Sequence, residues 1–448
     1  MKVLLIQSYL GRKEPPVYPL GLAYIATFLN NHIVRIFDPN IASDPWDMLR
    51  KELSDFSPDI IGVSLRNIDN QQRIKTFYYY KTFQKMIQFV KKCQPHIPLV
   101  VGGAGFSMFA QKIMERNAML DFGVHLEGEE SFPELLSSLE KPEKVRGIFY
   151  RKNGDVHFTG PRGLPDFGNF PMPIKNLIDI TKYLTDMETI GTQTKRGCPL
   201  KCSYCNYPFL NGNTVRIRSP KNVVDEIESL MQLGVDRLMF ADGVFNIPLS
   251  NAINICNEII RRGIKIKWSA WLDLNHATEE FLVQAKKAGC ISVTFSPDAI
   301  SKNALKEIRK GFTEADIHKN LELFINNKEL KELKVSYHLF VNPPGETFLG
   351  FIKTILFYLK TKFLLKGRGG AFLGWIRIEP ETRVYETALR EKLLCPDTDL
   401  LPENKEELSR LFYSKPYIRS FDFIVISLLK IVDSIKRLLL WKNTIKTT

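Results

Sequence analysis

Short apolar runs alternate with longer amphipathic stretches along the first 140 residues. Val3–Ile6, Val34–Phe37, Asp59–Ser64, Leu99–Gly103 and Asp121–His125 read as strands. Tyr18–Leu29, Pro45–Phe56, residues 77–93, Phe106–Arg116 and Ser131–Leu139 read as helices between them. Asp44 is placed to cap the second helix, with Pro45 at its first position. Such alternation predicts an α/β domain, a doubly wound, Rossmann-like parallel sheet over 1–140. Ligands of these sheets bind beyond the carboxyl ends of the strands. Ser64, Arg66, Asn67, Gly102, Gly103, Gly128 and Glu129 fall there. No Gly-x-Gly-x-x-Gly follows the first strand, so a dinucleotide site has little support.

The pattern then breaks and resumes. Residues 145–158 alternate around Asn153-Gly154, a hairpin signal, and Pro161, Pro165, Pro171 and Pro173 follow. Residues 141–187 are therefore expected to be a hairpin and proline-rich linker. From 188 to 385, strands at Thr189–Thr194, Arg237–Phe240, 265–269, Ile291–Phe295, Lys334–Phe340 and Ala371–Arg377 alternate with helices. Six such units predict a partial (β/α)6 barrel of the TIM type, with its site at the strand carboxyl ends. Residues 386–448 are expected to form a helical C-terminal region. Within it, residues 421–441 carry apolar positions at helical spacing, and 415–448 hold seven Lys/Arg against two Asp. Two readings stay open for 417–441: peripheral contact with an anionic membrane, or, favoured, packing on the open side of the barrel.

The chain has 448 residues, enough for two or three domains. Its 44 % hydrophobic and 25 % charged content is that of a globular protein. The apolar start ends by Leu10, too short for a signal peptide core, and no run of about 20 apolar residues suggests a spanning helix. A cytoplasmic chain is expected. The net charge of +13 fits anionic partners or a dispersed solvated surface equally. No basic–aromatic module is visible, which counts against a nucleic-acid partner.

Three of the seven cysteines change this picture. Cys198, Cys202 and Cys205 lie within eight positions, spaced Cys-x-x-x-Cys-x-x-Cys. Thiolates suit iron–sulfur clusters, and three of them would leave one iron of a 4Fe–4S cubane open. Structural zinc wants four ligands, and a disulfide does not suit a chain without secretory features.

Cys198-x-x-x-Cys202-x-Tyr204-Cys205 resembles the signature of the radical S-adenosylmethionine (SAM) superfamily. The resemblance implies that SAM chelates the open iron and is cleaved to a 5′-deoxyadenosyl radical. Pro19-Leu-Gly21-Leu, Gly62-Val-Ser64, Val101-Gly102-Gly103 and Gly128-Glu129 resemble the cobalamin-binding domain that precedes the radical SAM core in one large subclass. That likeness implies cobalamin, as methylcobalamin, held without a protein histidine on cobalt. Ser64, Gly102, Gly103, Gly128 and Glu129 become contact candidates, and Arg66 and Asn67 candidates to face cobalt or corrin amides. In the barrel, Asp242 with Phe245-Asn246 matches the subclass pattern. Asp298, in Ser296-Pro297-Asp298, stands where relatives carry the carboxylate for the SAM ribose. Lys310-Gly311 fits the Lys-Gly of relatives. Tyr204 is expected to pack the cluster loop or line the substrate face. The resemblance implies methyl transfer to an unactivated carbon, or phosphorus, of a small-molecule, natural-product or lipid substrate. It also implies an electron donor such as flavodoxin or ferredoxin. Cyclisation or rearrangement, and a non-catalytic iron–sulfur protein, stay as alternatives. No catalytic acid or base is identifiable.

Overall fold

Val3, Leu4, Leu5 and Ile6 are all buried, so β1 (Lys2–Gln7) is apolar on both faces, as a strand covered by helices on each side must be. A computed structural model describes residues 1–416 except Arg12, Lys13 and Asp186, and beyond them Phe423, Val425 and Ser427. Around β1 stand β2 (Ile33–Phe37), β3 (Ile60–Ser64), β4 (Leu99–Gly102) and β5 (Phe122–Val124). These five are parallel, in the order β2-β1-β3-β4-β5. Asp44 caps the helix Pro45–Phe56 by accepting from the Trp46 and Asp47 amides.

The hairpin joins this sheet. β6 (Ile148–Lys152) pairs antiparallel with β5, and β7 (Asp155–Phe158) with β6. Asn153 and Gly154 both have positive φ, 54° and 92°, the backbone a two-residue hairpin turn requires. The first sheet thus runs past residue 140, to Phe158.

The second sheet is built from β8 (Gly191–Thr192), β11 (Arg237–Phe240), β12 (Lys267–Leu272), β13 (Cys290–Asp298), β14 (Lys334–Phe340) and β15 (Gly369–Gly374). All six are parallel and sequential, an open (β/α)6 barrel. Two short strands, β9 (Lys195–Arg196) and β10 (Arg216–Ile217), pair antiparallel and close the base of the cysteine loop.

One apolar cluster includes Leu4, Val63 and Val101 of the first sheet and Leu238, Trp268, Val293 and Tyr337 of the barrel, with Tyr18, Ile180 and Tyr183 among its members. The chain also returns to the first domain after the barrel. Asp399 pairs with Lys112 at 2.7 Å and with Arg116, and Arg116 donates to the Leu401 carbonyl at 2.7 Å. Among the described residues no helix is long and apolar enough to cross a membrane. The amphipathic stretch expected at 421–441 lies almost wholly outside the described residues.

Candidate active site

The cysteine loop begins where β8 ends. Asp242, just past β11, accepts from the Thr194 amide at 2.8 Å, the Thr194 hydroxyl at 2.6 Å and the Lys195 amide at 3.3 Å. Gly197 has φ +89°, and a Cβ there would lie 2.0 Å from the Thr214 carbonyl oxygen, so only glycine fits. The Cys198 amide donates to the Gly212 carbonyl at 3.1 Å and the Ser203 amide to the Ile308 carbonyl at 3.1 Å. The loop is pinned at both ends and to the barrel.

All three thiols line one cavity of about 210 Å³ at the carboxyl ends of β11, β12 and β13. Gly243, Trp271, Asp273, Ser296 and Lys310 complete much of its wall. Among the described residues no three His, Cys, Asp or Glu side chains converge on a single-ion site. Three thiols facing one cavity are the donor set that an iron–sulfur cluster takes. Burial raises the Cys198 thiol and pushes Cys205 up to about 12; thiolates here need a cation opposite them. Burial opposes the charge on Lys310, but Asp298 and Cys202 hold its ammonium charged. Its Nζ lies 2.5 Å from Asp298 and 3.0 Å from the Tyr204 hydroxyl, which itself donates to Asp298. The buried Tyr207 hydroxyl approaches the Gly243 amide without meeting hydrogen-bond geometry and has no partner among the described residues. An open thiol set, a charged lysine and an orphaned hydroxyl fit a cluster with a polar ligand beside it.

A larger cavity, about 410 Å³, lies between the carboxyl edge of the first sheet and the barrel. Ser64, Arg66, Gly102, Gly103, Gly128 and Glu129 line it from one side, and Gly191, Gln193, Arg196 and Met239 from the other. Two of its glycines are closely packed. At Gly103, φ +100°, a Cβ would sit 2.7 Å from the Leu65 carbonyl oxygen, and at Gly62 one would sit 3.0 Å from Leu5. No histidine is among its lining residues. A glycine-lined, largely apolar crevice at strand carboxyl ends fits the tail of a large planar cofactor.

Arg196, two residues before Cys198, ties the cysteine loop to the first domain. Its guanidinium reaches Glu127 at 2.9 Å and Glu129 at 2.6 Å, both at the end of β5. It also stacks on Tyr24, Phe167 and Phe170, with 4.4 Å to the Phe167 ring centre. Arg216, on β10, binds Glu127 through a second hydrogen bond of 2.9 Å. Below them Glu226 is buried between Arg218 at 2.6 Å and Lys175 at 2.5 Å. On the far side Glu379 bridges the domains, accepting from Gln71 Nε2 at 3.2 Å and Asn206 Nδ2 at 2.7 Å. Burial, with Asp69 adding to it and Arg377 opposing, lifts Glu379 to about 7.

The structure therefore brings together Cys198, Cys202, Cys205 and Tyr204 in one cavity, and Ser64, Arg66, Gly102, Gly103, Gly128 and Glu129 in the other. Three expected contacts stand apart. Asn67 is exposed, with its backbone against Gly105. Asp242 and Asp298 are buried and line neither cavity: Asp242 is used up anchoring the loop, Asp298 by Tyr204 and Lys310. The carboxylate that does line the cluster cavity is Asp273, bonded to His276 at 2.6 Å. The sequence places this strand at 265–269, whereas β12 runs three residues further, which puts Asp273 just past its end. Glu127 falls at a strand end and Glu379 in the closing Pro-x-Thr segment, but neither position, nor Arg196, announces a partner, because the partners are distant in the chain.

Residues 192–357 match the radical SAM superfamily and residues 9–136 the B12 binding domain. An uncharacterized methyltransferase of Pyrococcus horikoshii is 29 % identical over 70 % of this chain and 69 % of its own length. The anaerobic magnesium-protoporphyrin IX monomethyl ester cyclase of Rubrivivax gelatinosus is 26 % identical over 69 % of this chain and 57 % of its own. Among solved structures, the radical S-adenosylmethionine methyltransferase TsrM of Kitasatospora setae, with tryptophan and a SAM analogue bound, superposes with a TM-score of 0.75 at 21 % identity. That superposition covers 88 % of this chain and 77 % of TsrM. At that identity the likeness establishes a common fold.

Proposed function

We propose, from the premise that the chain belongs to the radical SAM superfamily and carries a B12 binding domain, that it is a cobalamin-dependent methyltransferase acting on an unactivated carbon, or phosphorus, of a small-molecule, natural-product or lipid substrate. The observation that carries this reading is the pair of cavities, one thiol-lined and one glycine-lined, with Arg196 of the larger one two residues before Cys198 of the smaller. When bound, a 4Fe–4S cluster with SAM supplies radical chemistry and methylcobalamin a methyl donor. Cys198, Cys202 and Cys205 would hold the cluster. Lys310 offsets anionic charge at Cys202 and, with Asp298, fixes Tyr204. Asp273, Ser296 and Tyr207 offer polar contacts to SAM, while Trp271, Leu272 and Phe312 exclude water. Ser64, Gly102, Gly103 and Gly128 would take the cobalamin tail, with Arg66 at the cavity rim. An external one-electron donor such as flavodoxin or ferredoxin completes the proposal.

Ring closure is the second reading, favoured by the similarity to the cyclase. Anaerobic reconstitution with iron, sulfide, cobalamin and SAM tests both. Bound cobalamin, and methionine with 5′-deoxyadenosine formed from SAM, are expected. A chain that retains no cobalamin would remove the methyltransferase and cyclase readings together. Unchanged SAM cleavage by Cys202→Ala would remove the cluster assignment. Transfer of a labelled SAM methyl group to a co-purified ligand separates methylation from ring closure.

A further inference from the structure

The helix Phe348–Leu364 shows two unlike faces. Gly350, Phe351, Thr354, Phe357 and Thr361 are buried, which fixes how it is rotated. Outward point Leu349, Ile352, Leu356, Leu359 and Phe363, between 38 and 79 % exposed. At 3.6 residues per turn these five fall within about 80° of arc. Lys353 and Lys360 flank this stripe on one side and Lys362 on the other, and Lys366 follows the last turn. Residues 348–368 hold no Asp or Glu. The neighbouring helix Glu314–Asn326 supplies one countercharge, Glu314 on Lys353 at 2.7 Å, and carries Glu322 nearby. None of the five apolar side chains lines either cavity.

We propose that this helix docks the protein on an anionic phospholipid bilayer, lying in the interface with its stripe among the acyl chains. An apolar stripe between lysine flanks is the arrangement of an in-plane helix. At 17 residues it is too short and too charged to cross. Charge decides among the occupants. A twofold pairing of this face with a second copy sets the same patch against itself, lysines against lysines. The chain's own segment 415–448, seven Lys/Arg against two Asp, is basic too. An acidic lipid surface complements the helix and that segment alike.

Sedimentation of the full-length protein with sucrose-loaded vesicles tests this. Wild type is expected to pellet with phosphatidylglycerol–phosphatidylcholine vesicles, not with phosphatidylcholine alone, and to release at high salt. Leu356→Glu/Phe363→Glu should weaken binding more than ~tenfold with an unchanged circular dichroism spectrum and unfolding temperature. Lys360→Gln/Lys362→Gln should weaken it about fivefold per lysine at low salt. Wild type that stays in solution with anionic vesicles overturns the proposal, as does Leu356→Glu/Phe363→Glu protein that binds like wild type. So does a wild-type dimer that this double variant converts to monomer in sedimentation velocity, since the face then joins two copies.

Discussion

Replacing Glu379 by Gln isolates one bridging carboxylate. Burial raises Glu379 from the ordinary carboxyl value of 4.5 to about 7. At ~1.4 kcal/mol per pH unit, that interval is worth about 3 kcal/mol. The residue is half-buried, and solvent screening trims the figure to ~2–3 kcal/mol. An acid whose pKa is raised on folding binds its proton more tightly in the folded state. The stability it contributes is complete below pH 4.5 and is lost as pH rises through 7. Gln keeps the shape and never ionises, and the Gln71 and Asn206 amides can turn to suit it. Glu379→Gln should therefore match wild type near pH 4.5 and exceed it by ~2–3 kcal/mol at pH 8. Urea unfolding followed by tryptophan fluorescence at several pH values, compared at equal m, gives the difference. A difference that stays flat between pH 4.5 and 8, or a variant less stable at pH 8, refutes the reasoning.

Three further outcomes follow from the packing. Arg196→Ala leaves Glu129 buried without its cation and should cost ~3–5 kcal/mol in thermal or urea unfolding; Arg196→Lys, which keeps charge but not the fork, should fall between. Gly103→Ala forces a side chain onto φ +100° against the Leu65 carbonyl and should cost about 1–3 kcal/mol, with weaker cobalamin retention by absorbance titration. Cys202→Ala should lower iron and sulfide per chain after anaerobic reconstitution, whereas Cys256→Ala, at a buried helical cysteine outside the cluster cavity, should leave both unchanged.

Both sheets were legible because each uses a period that local sequence displays. Val3–Ile6 of β1 are apolar without a break, and the Asp44-Pro45 start marks the helix Pro45–Phe56 to the residue. The Asn153-Gly154 turn was legible too, but not that β6 would pair with β5, because strand pairing depends on register between distant segments. Three cysteines on one short loop announce themselves. Carboxylates do not: Asp242 and Asp298 stand at the motif positions, yet their geometry spends them on Thr194 and on Lys310, while Asp273 faces the cavity. Burial and partner choice decide what a carboxylate does, and both belong to the assembled fold. Thr347–Leu359 reads in sequence as a helix, but 3.6-residue spacing does not say which face of Phe348–Leu364 meets the core.

The Arg196–Glu127–Glu129 contact has a consequence for recombining this architecture. Its carboxylates come from the first domain and its guanidiniums from the second. A chimaera that grafts a foreign N-terminal half onto this barrel inherits Arg196 and Arg216 regardless. Glu127 pairs with both arginines and Glu129 with Arg196 alone, so a donor half with an acid at neither matching position seals two cations in at the seam without counterions. Parents can thus be sorted before any cloning by reading four positions, and donors lacking the acids become usable only once Arg196 and Arg216 are changed with them.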